Sequence, residues 1–95
     1  MKTAIITSET SLNHDTGSGH PESISRVTSI IEKLKRNKKL IWKNPTTYNR
    51  AIIKNTHSKA YVDDIENSFP LEGLKFLDGD TVISPGSKNA AFDAV

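Results

Sequence analysis

Three short stretches of the chain concentrate side chains able to do chemistry. The first runs from His14-Asp15 through Gly17-Ser18-Gly19 to His20-Pro21-Glu22, and its imidazoles and carboxylates are donors that suit zinc. Four ligands from one Gly/Ser loop would be unusual, and no helical His-x-x-x-His spacing accompanies them. The stretch therefore reads as a polar loop whose Pro21 stiffens a helix start. The second is Asp78-Gly79-Asp80-Thr81, an Asp-x-Asp pair in which a first carboxylate could attack a phosphoryl group and a second could move the proton. That chemistry also needs Lys and further carboxylates to hold the phosphate and magnesium, with chain enough to supply them. Here only fifteen residues remain after Asp80, so an Asp/Gly turn accounts for the segment. The third is Lys35-Arg36-Asn37-Lys38-Lys39, a possible anion or nucleic-acid patch. Without interleaved aromatics or a wider basic field it reads as a solvated helix end that complements the helix dipole. Gly17-Ser18-Gly19 lacks the Lys-Ser/Thr of a phosphate loop, and no Ser/His/Asp triad can be assigned from sequence separation.

The elements that must position these groups follow from periodicity. Thr3 to Thr7 carries Ala4, Ile5 and Ile6 in a near-continuous apolar run, which predicts a short strand buried on both faces and hence parallel neighbours and covering helices. Ser8 to Glu22 is a long polar loop. Ile24, Val27, Ile30, Ile31 and Leu34 make one stripe, predicting a helix over 24–36 with Pro21 and Glu22 at its start, basic residues in its last turn and Asn37 as its stop. Leu40-Ile41-Trp42 fits a strand or a packed turn, broken by Asn44-Pro45. Thr46 or Thr47 is a plausible N-cap for a short helix through Lys54 with Tyr48, Ala51 and Ile52 on one face, and a strand at 51–53 is the alternative. Ser58 can cap a helix carrying Tyr61, Val62, Ile65 and Phe69, ended by Pro70. Ser84-Pro85-Gly86-Ser87 forms a turn, with Ser87 as N-cap of a last helix whose apolar face begins at Ala90, Ala91 and Phe92. That helix is cut short at Val95. A natural N-terminus attached to an amputated C-terminus is the expectation.

Composition narrows the class. With 95 residues, 35% hydrophobic and 25% charged, the chain is sized for one small globular domain or a piece of a larger one. No apolar run is long enough to span a bilayer, and the apolar core of the N-terminus is too short for a signal peptide. The absence of Cys excludes disulfides and thiolate metal sites and makes a reducing cytoplasm the expected compartment. A net charge of +2 is too small to indicate nucleic-acid binding.

Taken in order, His14, His20-Pro21-Glu22-Ser23-x-x-Arg26, His57-Ser58-x-x-Tyr61 and Leu77-Asp78-Gly79-Asp80-Thr81-x-x-Ser84-Pro85-Gly86-Ser87-x-x-Ala90-Ala91 resemble the histone deacetylase family. The resemblance is closest to the bacterial and class II type that includes acetoin-utilisation and acetylpolyamine deacetylases, and it runs through essentially the whole chain. Lys59-Ala60 departs from the Pro-Glu of many such proteins. The resemblance implies an α/β fold of the arginase/deacetylase type, three-layered with a central parallel sheet, of which residues 1–95 would be the N-terminal part of a single domain. It implies hydrolysis of N-acetyl amides by a zinc-bound water. The family's zinc ligands, His-His pair and catalytic Tyr have no counterparts here, so Zn2+ would be held outside the chain, which alone is expected to be inactive. What the resemblance carries over is the rim and the channel. Asp80 would accept substrate amides, His20, Pro21 and Glu22 would form the first rim loop, and Arg26 would line the internal channel, partly buried beside Val27 and Ile30. The implied partners are an acetylated small amine or acetyl-lysine substrate and the remainder of the deacetylase domain, with no nucleic acid and no membrane. From a different class, the alternative is a small non-catalytic module using Lys35–Lys39 on an anionic partner.

Overall fold

A computed structural model describes residues 1–46 and 49–95. Two strands, β1 (Thr3–Ile6) and β2 (Leu40–Lys43), pair in parallel with Thr3 beside Leu40 and Ile6 beside Lys43. Helix α1 (Ile24–Lys35) makes the crossover between them. The run Leu40-Ile41-Trp42 is therefore a strand, paired in parallel with β1. A second sheet is an antiparallel hairpin of β3 (Lys75–Phe76) and β4 (Val82–Ile83). Helices α2 (Lys59–Glu66) and α3 (Ser87–Asp93) flank the hairpin in sequence. The long polar loop contains a 3₁₀ turn at Glu9–Asn13, begun by the Ser8 hydroxyl accepting from Thr10 N, and the turn packs against both α1 and α3.

Helix α1 forms where its stripe demands. Ile24, Val27, Ile31 and Leu34 are half-buried, and Ile30, at the margin of the stripe, is exposed. Asn37 stops the helix as expected, its side-chain oxygen accepting from Lys39 N in the turn toward β2. In α2 the Ser58 hydroxyl accepts from Tyr61 N, an N-cap read correctly from the sequence, but the helix ends at Glu66 rather than running to Phe69.

Three expectations change. The segment through Lys54 is helical and not a strand, but it is a 3₁₀ helix at Arg50–Asn55 whose cap is Asn49, with its carboxamide accepting from Ala51 N, rather than Thr46. The proposed cap Thr47 and the facing Tyr48 lie outside the described residues. Ser87 is not the N-cap of α3. Gly86 holds that position, and the Ser87 hydroxyl turns back to accept from Ser84 N at 2.9 Å. Finally, β1 is not buried on both faces. Ile5 is half-buried, as are Leu40 and Trp42 on β2, whereas Ala4, Ile6 and Ile41 on the opposite side are exposed. With β2 as its single strand neighbour, β1 has nothing among the described residues to cover that side.

Among the described residues the buried apolar ones are Val82, Ile83 and Phe92, the last only 8% exposed. Around them Glu66 accepts from Arg50 at 2.6 Å and pairs with Lys88 at 3.3 Å, while the Arg50 guanidinium sits 4.3 Å from the Phe92 ring centroid. These contacts tie the 3₁₀ turn 50–55, α2 and α3 together. The chain is a slab of 42 × 34 × 19 Å with a radius of gyration of 15.2 Å, against about 13 Å for a compact domain of this length. That flatness explains why so few side chains are buried.

Candidate functional site

The long loop and the segment 77–87 meet, and every residue singled out for the rim lies at or beside that meeting. His20 supplies the first joint. Its Nδ1 accepts from Glu22 N at 3.0 Å, which leaves Nε2 to carry the proton and donate to the Asp80 carbonyl at 2.7 Å. Pro21, between the two, fixes φ and so helps hold the tight return from His20 to Glu22. Two segments 60 residues apart are thereby joined through one imidazole.

Asp80 owes its own placement to Asp78. One Asp78 oxygen accepts from Asp80 N at 2.9 Å and Thr81 N at 2.8 Å, and the other accepts from the Thr81 hydroxyl at 3.1 Å. Leu77 N donates to the Thr81 carbonyl and closes the loop between β3 and β4. The main-chain bond to Asp80, followed by the bonds to Thr81, holds the Asp78 carboxyl below its ordinary value. Asp78 is thus a turn-forming acceptor, in agreement with the Asp/Gly-turn reading. Asp80 contributes its N–H and carbonyl to the fold and is itself exposed.

Glu22 and Arg26 pair one helical turn apart at 2.6 Å, both about half exposed. The bond from Arg26, reinforced by its charge, lowers the Glu22 carboxyl below its usual value. The pairing turns the Arg26 guanidinium toward Glu22 and leaves about half of the side chain exposed. The Glu22 carbonyl accepts from the hydroxyl of Thr16, a buried residue.

A second joint was not visible from the sequence. His14 Nδ1 lies 2.7 Å from the Ser87 hydroxyl, Asp15 N donates to the Ser84 hydroxyl at 3.2 Å, and the two serine oxygens are 3.3 Å apart. Gly86 is required where these segments cross, because a Cβ there would overlap the Asn13 carbonyl and come within 2.7 Å of Asn13 Cβ. Gly17 holds φ +89, the left-handed region. A Ser–His pair invites a nucleophilic reading, but Ser87 is only 2% exposed and its oxygen already accepts from Ser84 N. The pair fastens the loop. The only sequence signal was the Ser84-Pro85-Gly86-Ser87 turn, which did not reveal its partner.

His57 and Tyr61 stack at 5.0 Å beside the start of α2, apart from these joints, which matches their reading as packing residues. At the carboxyl ends of β1 and β2, the end where open parallel sheets receive ligands, lies a cleft of about 730 Å³ lined by residues including Ser8, Asn44, Arg50, Asn89 and Asp93. None of His20, Arg26 or Asp80 lines it. Among the described residues no group of three or more His, Asp or Glu side chains could hold a metal ion.

No family model matches the chain. It is similar to the protein slr0245 of Synechocystis sp. (strain ATCC 27184 / PCC 6803 / Kazusa), with 37% identity over 98 residues that take in 97% of the chain and 32% of that protein. The chain thus spans about a third of the length of the curated relative it matches.

Proposed function

We propose that the chain is the N-terminal segment of a zinc-dependent deacetylase acting in the cytoplasm on N-acetyl amides of the acetyl-lysine or acetylpolyamine type. The observation that supports this reading is the bond from His20 Nε2 to the Asp80 carbonyl, which brings together the two segments proposed to form a substrate rim. On this reading the exposed Asp80 carboxylate accepts substrate amide N–H groups, while Glu22, paired with Arg26, keeps the loop charged and hydrated at the mouth. The residues present do not fit zinc, so the metal would be held by a remainder of the domain, and no chemical step is derived through it.

The test joins these 95 residues to the corresponding remainder of the Synechocystis relative and measures acetate release from an acetyl-lysine peptide. Zinc-dependent turnover is expected. Asp80→Asn should lower kcat/KM by about ten- to a hundredfold at unchanged zinc content, the loss of one charge-assisted contact of about 1.5–3 kcal/mol. The effect should shrink for a small acetylated amine without peptide N–H groups. A folded, zinc-loaded protein without amidase activity, or an Asp80→Asn variant with unaltered kcat/KM on the peptide, rejects the reading.

A further inference from the structure

The register of the parallel sheet adds a residue to the basic turn that its position in the sequence concealed. Because Thr3 sits beside Leu40, Lys2 enters β1 next to Lys39. Lys2, Lys33, Lys35, Arg36, Lys38 and Lys39, all exposed, therefore gather where α1 hands over to β2, at the amino end of both strands. Like charges at adjacent strand positions repel. The dipole of α1 interacts with cations only within its last turn, which Lys33 and Lys35 already occupy.

The rest of the molecule is charged in the opposite sense. The four ion pairs among the described residues engage Arg26, Arg50, Lys59 and Lys88, and none engages the six. Glu32, exposed on α1 beside Lys33, offsets one of the six, and the other seven basic residues stand against ten acidic ones, so outside the patch the chain carries −3. A +5 edge on a net-negative body is a localised field, a feature the overall charge of +2 hides.

We propose that this edge docks a short acidic polypeptide segment, a run of Asp and Glu about as long as the patch itself. A long polyanion fits less well. Duplex nucleic acid carries one charge per about 1.7 Å of axis, and its further phosphates would lie over the acidic body. An anionic bilayer is extended in the same way. The patch also holds no aromatic side chain on which a single-stranded base could stack. A short acidic segment matches the cations and ends where they end.

The test is fluorescence anisotropy of a labelled octaglutamate peptide with the 95 residues joined to the corresponding remainder of the Synechocystis relative, at low ionic strength and through a salt series. Saturable binding that weakens with salt is expected. The double variant Lys38→Glu/Lys39→Glu should weaken it by about tenfold or more, whereas Lys43→Glu/Lys54→Glu, with the same change in net charge but outside the patch, should leave it near the wild-type value. Far-UV circular dichroism checks that both retain their helix content. If the first does not, Lys38→Gln/Lys39→Gln replaces it and should weaken binding in the same direction. No saturable binding, equal loss in the two double variants, or tighter binding to a single-stranded oligodeoxythymidine or to phosphatidylserine vesicles would each overturn the proposal.

Discussion

The joint between the loop 13–16 and the turn 84–87 and the parallel sheet β1–β2 invert the usual division of labour between polar and apolar residues. In the joint the polar residues are inside: Thr16, Ser84 and Ser87 are buried, and their hydroxyls are all bonded. On one face of the sheet the apolar residues are outside, with Ile6 65% and Ile41 37% exposed, while Ile5, Leu40 and Trp42 on the other face are half-buried. Hydrogen bonds fix geometry because they are directional, and a buried group left without its partner costs about 1–3 kcal/mol. Apolar contact gives stability only in proportion to area removed from water. The joint is thus specified in detail with little burial behind it, while the sheet has apolar surface but little burial to hold it.

The contrast can be broken most decisively at the level of the whole chain. With three apolar residues buried, the isolated 95-mer should unfold in urea without a sharp transition and should bind a hydrophobic dye. A steep, cooperative loss of circular dichroism from a monomer would show that the exposed isoleucines matter less than claimed. Gly86→Ala comes next. Its Cβ meets main-chain atoms of Asn13, which cannot move aside as a side-chain tip could, so opening of the joint should become easier by about 1–3 kcal/mol in amide hydrogen exchange of 84–87. Ser87→Ala should act through the same readout with about 1–3 kcal/mol, because it strands Ser84 N and the His14 ring together.

Asp78 sharpens the comparison by pH. Its folded-state carboxyl titrates below the ordinary value, so it stabilises the hairpin above the unfolded carboxyl pKa, and that contribution is lost as pH falls through the lowered folded value. Amide resonances of Asp80 and Thr81 should therefore shift on the acid side of the usual Asp range, and Asp78→Asn should abolish that titration. The smallest effect belongs to the open sheet face. Ile6→Thr should change the opening free energy of the β1 amides in hydrogen exchange by no more than about 0.5 kcal/mol, and a loss above about 2 kcal/mol would place a hidden partner over that face.

What the sequence disclosed divides along the same line. The α1 stripe, the Asn37 stop, the Ser58 cap and the Asp78 turn were legible because each is settled within about five residues. The strand at Leu40, left open against a packed turn, was decided by pairing with Thr3, and the role of Ser87 by His14, partners a local pattern does not name. The rim residues His20 and Asp80 were singled out by resemblance, yet the imidazole-to-carbonyl bond that joins them could not be read from spacing. Burial failed at β1 because an apolar run shows what a strand could bury against, not whether a neighbour stands there.

The joint also sets a timetable. His14 bonds a residue 73 positions later, and Thr10 donates to Asp93 across 83 positions at 2.6 Å. Closing so long a loop costs entropy before any contact repays it, which slows the step relative to local structure. On a ribosome adding about 5–20 residues per second, His14 waits about 4–15 s for Ser87 to be synthesised. Helix α1 can form in that interval and meet the turn at Glu9–Asn13, but α3, the other element that turn packs against, is not yet made. The nascent chain therefore shows its isoleucines to the cell for seconds, and a chaperone that recognises extended apolar segments would find its target in the first half of the molecule before the second half exists.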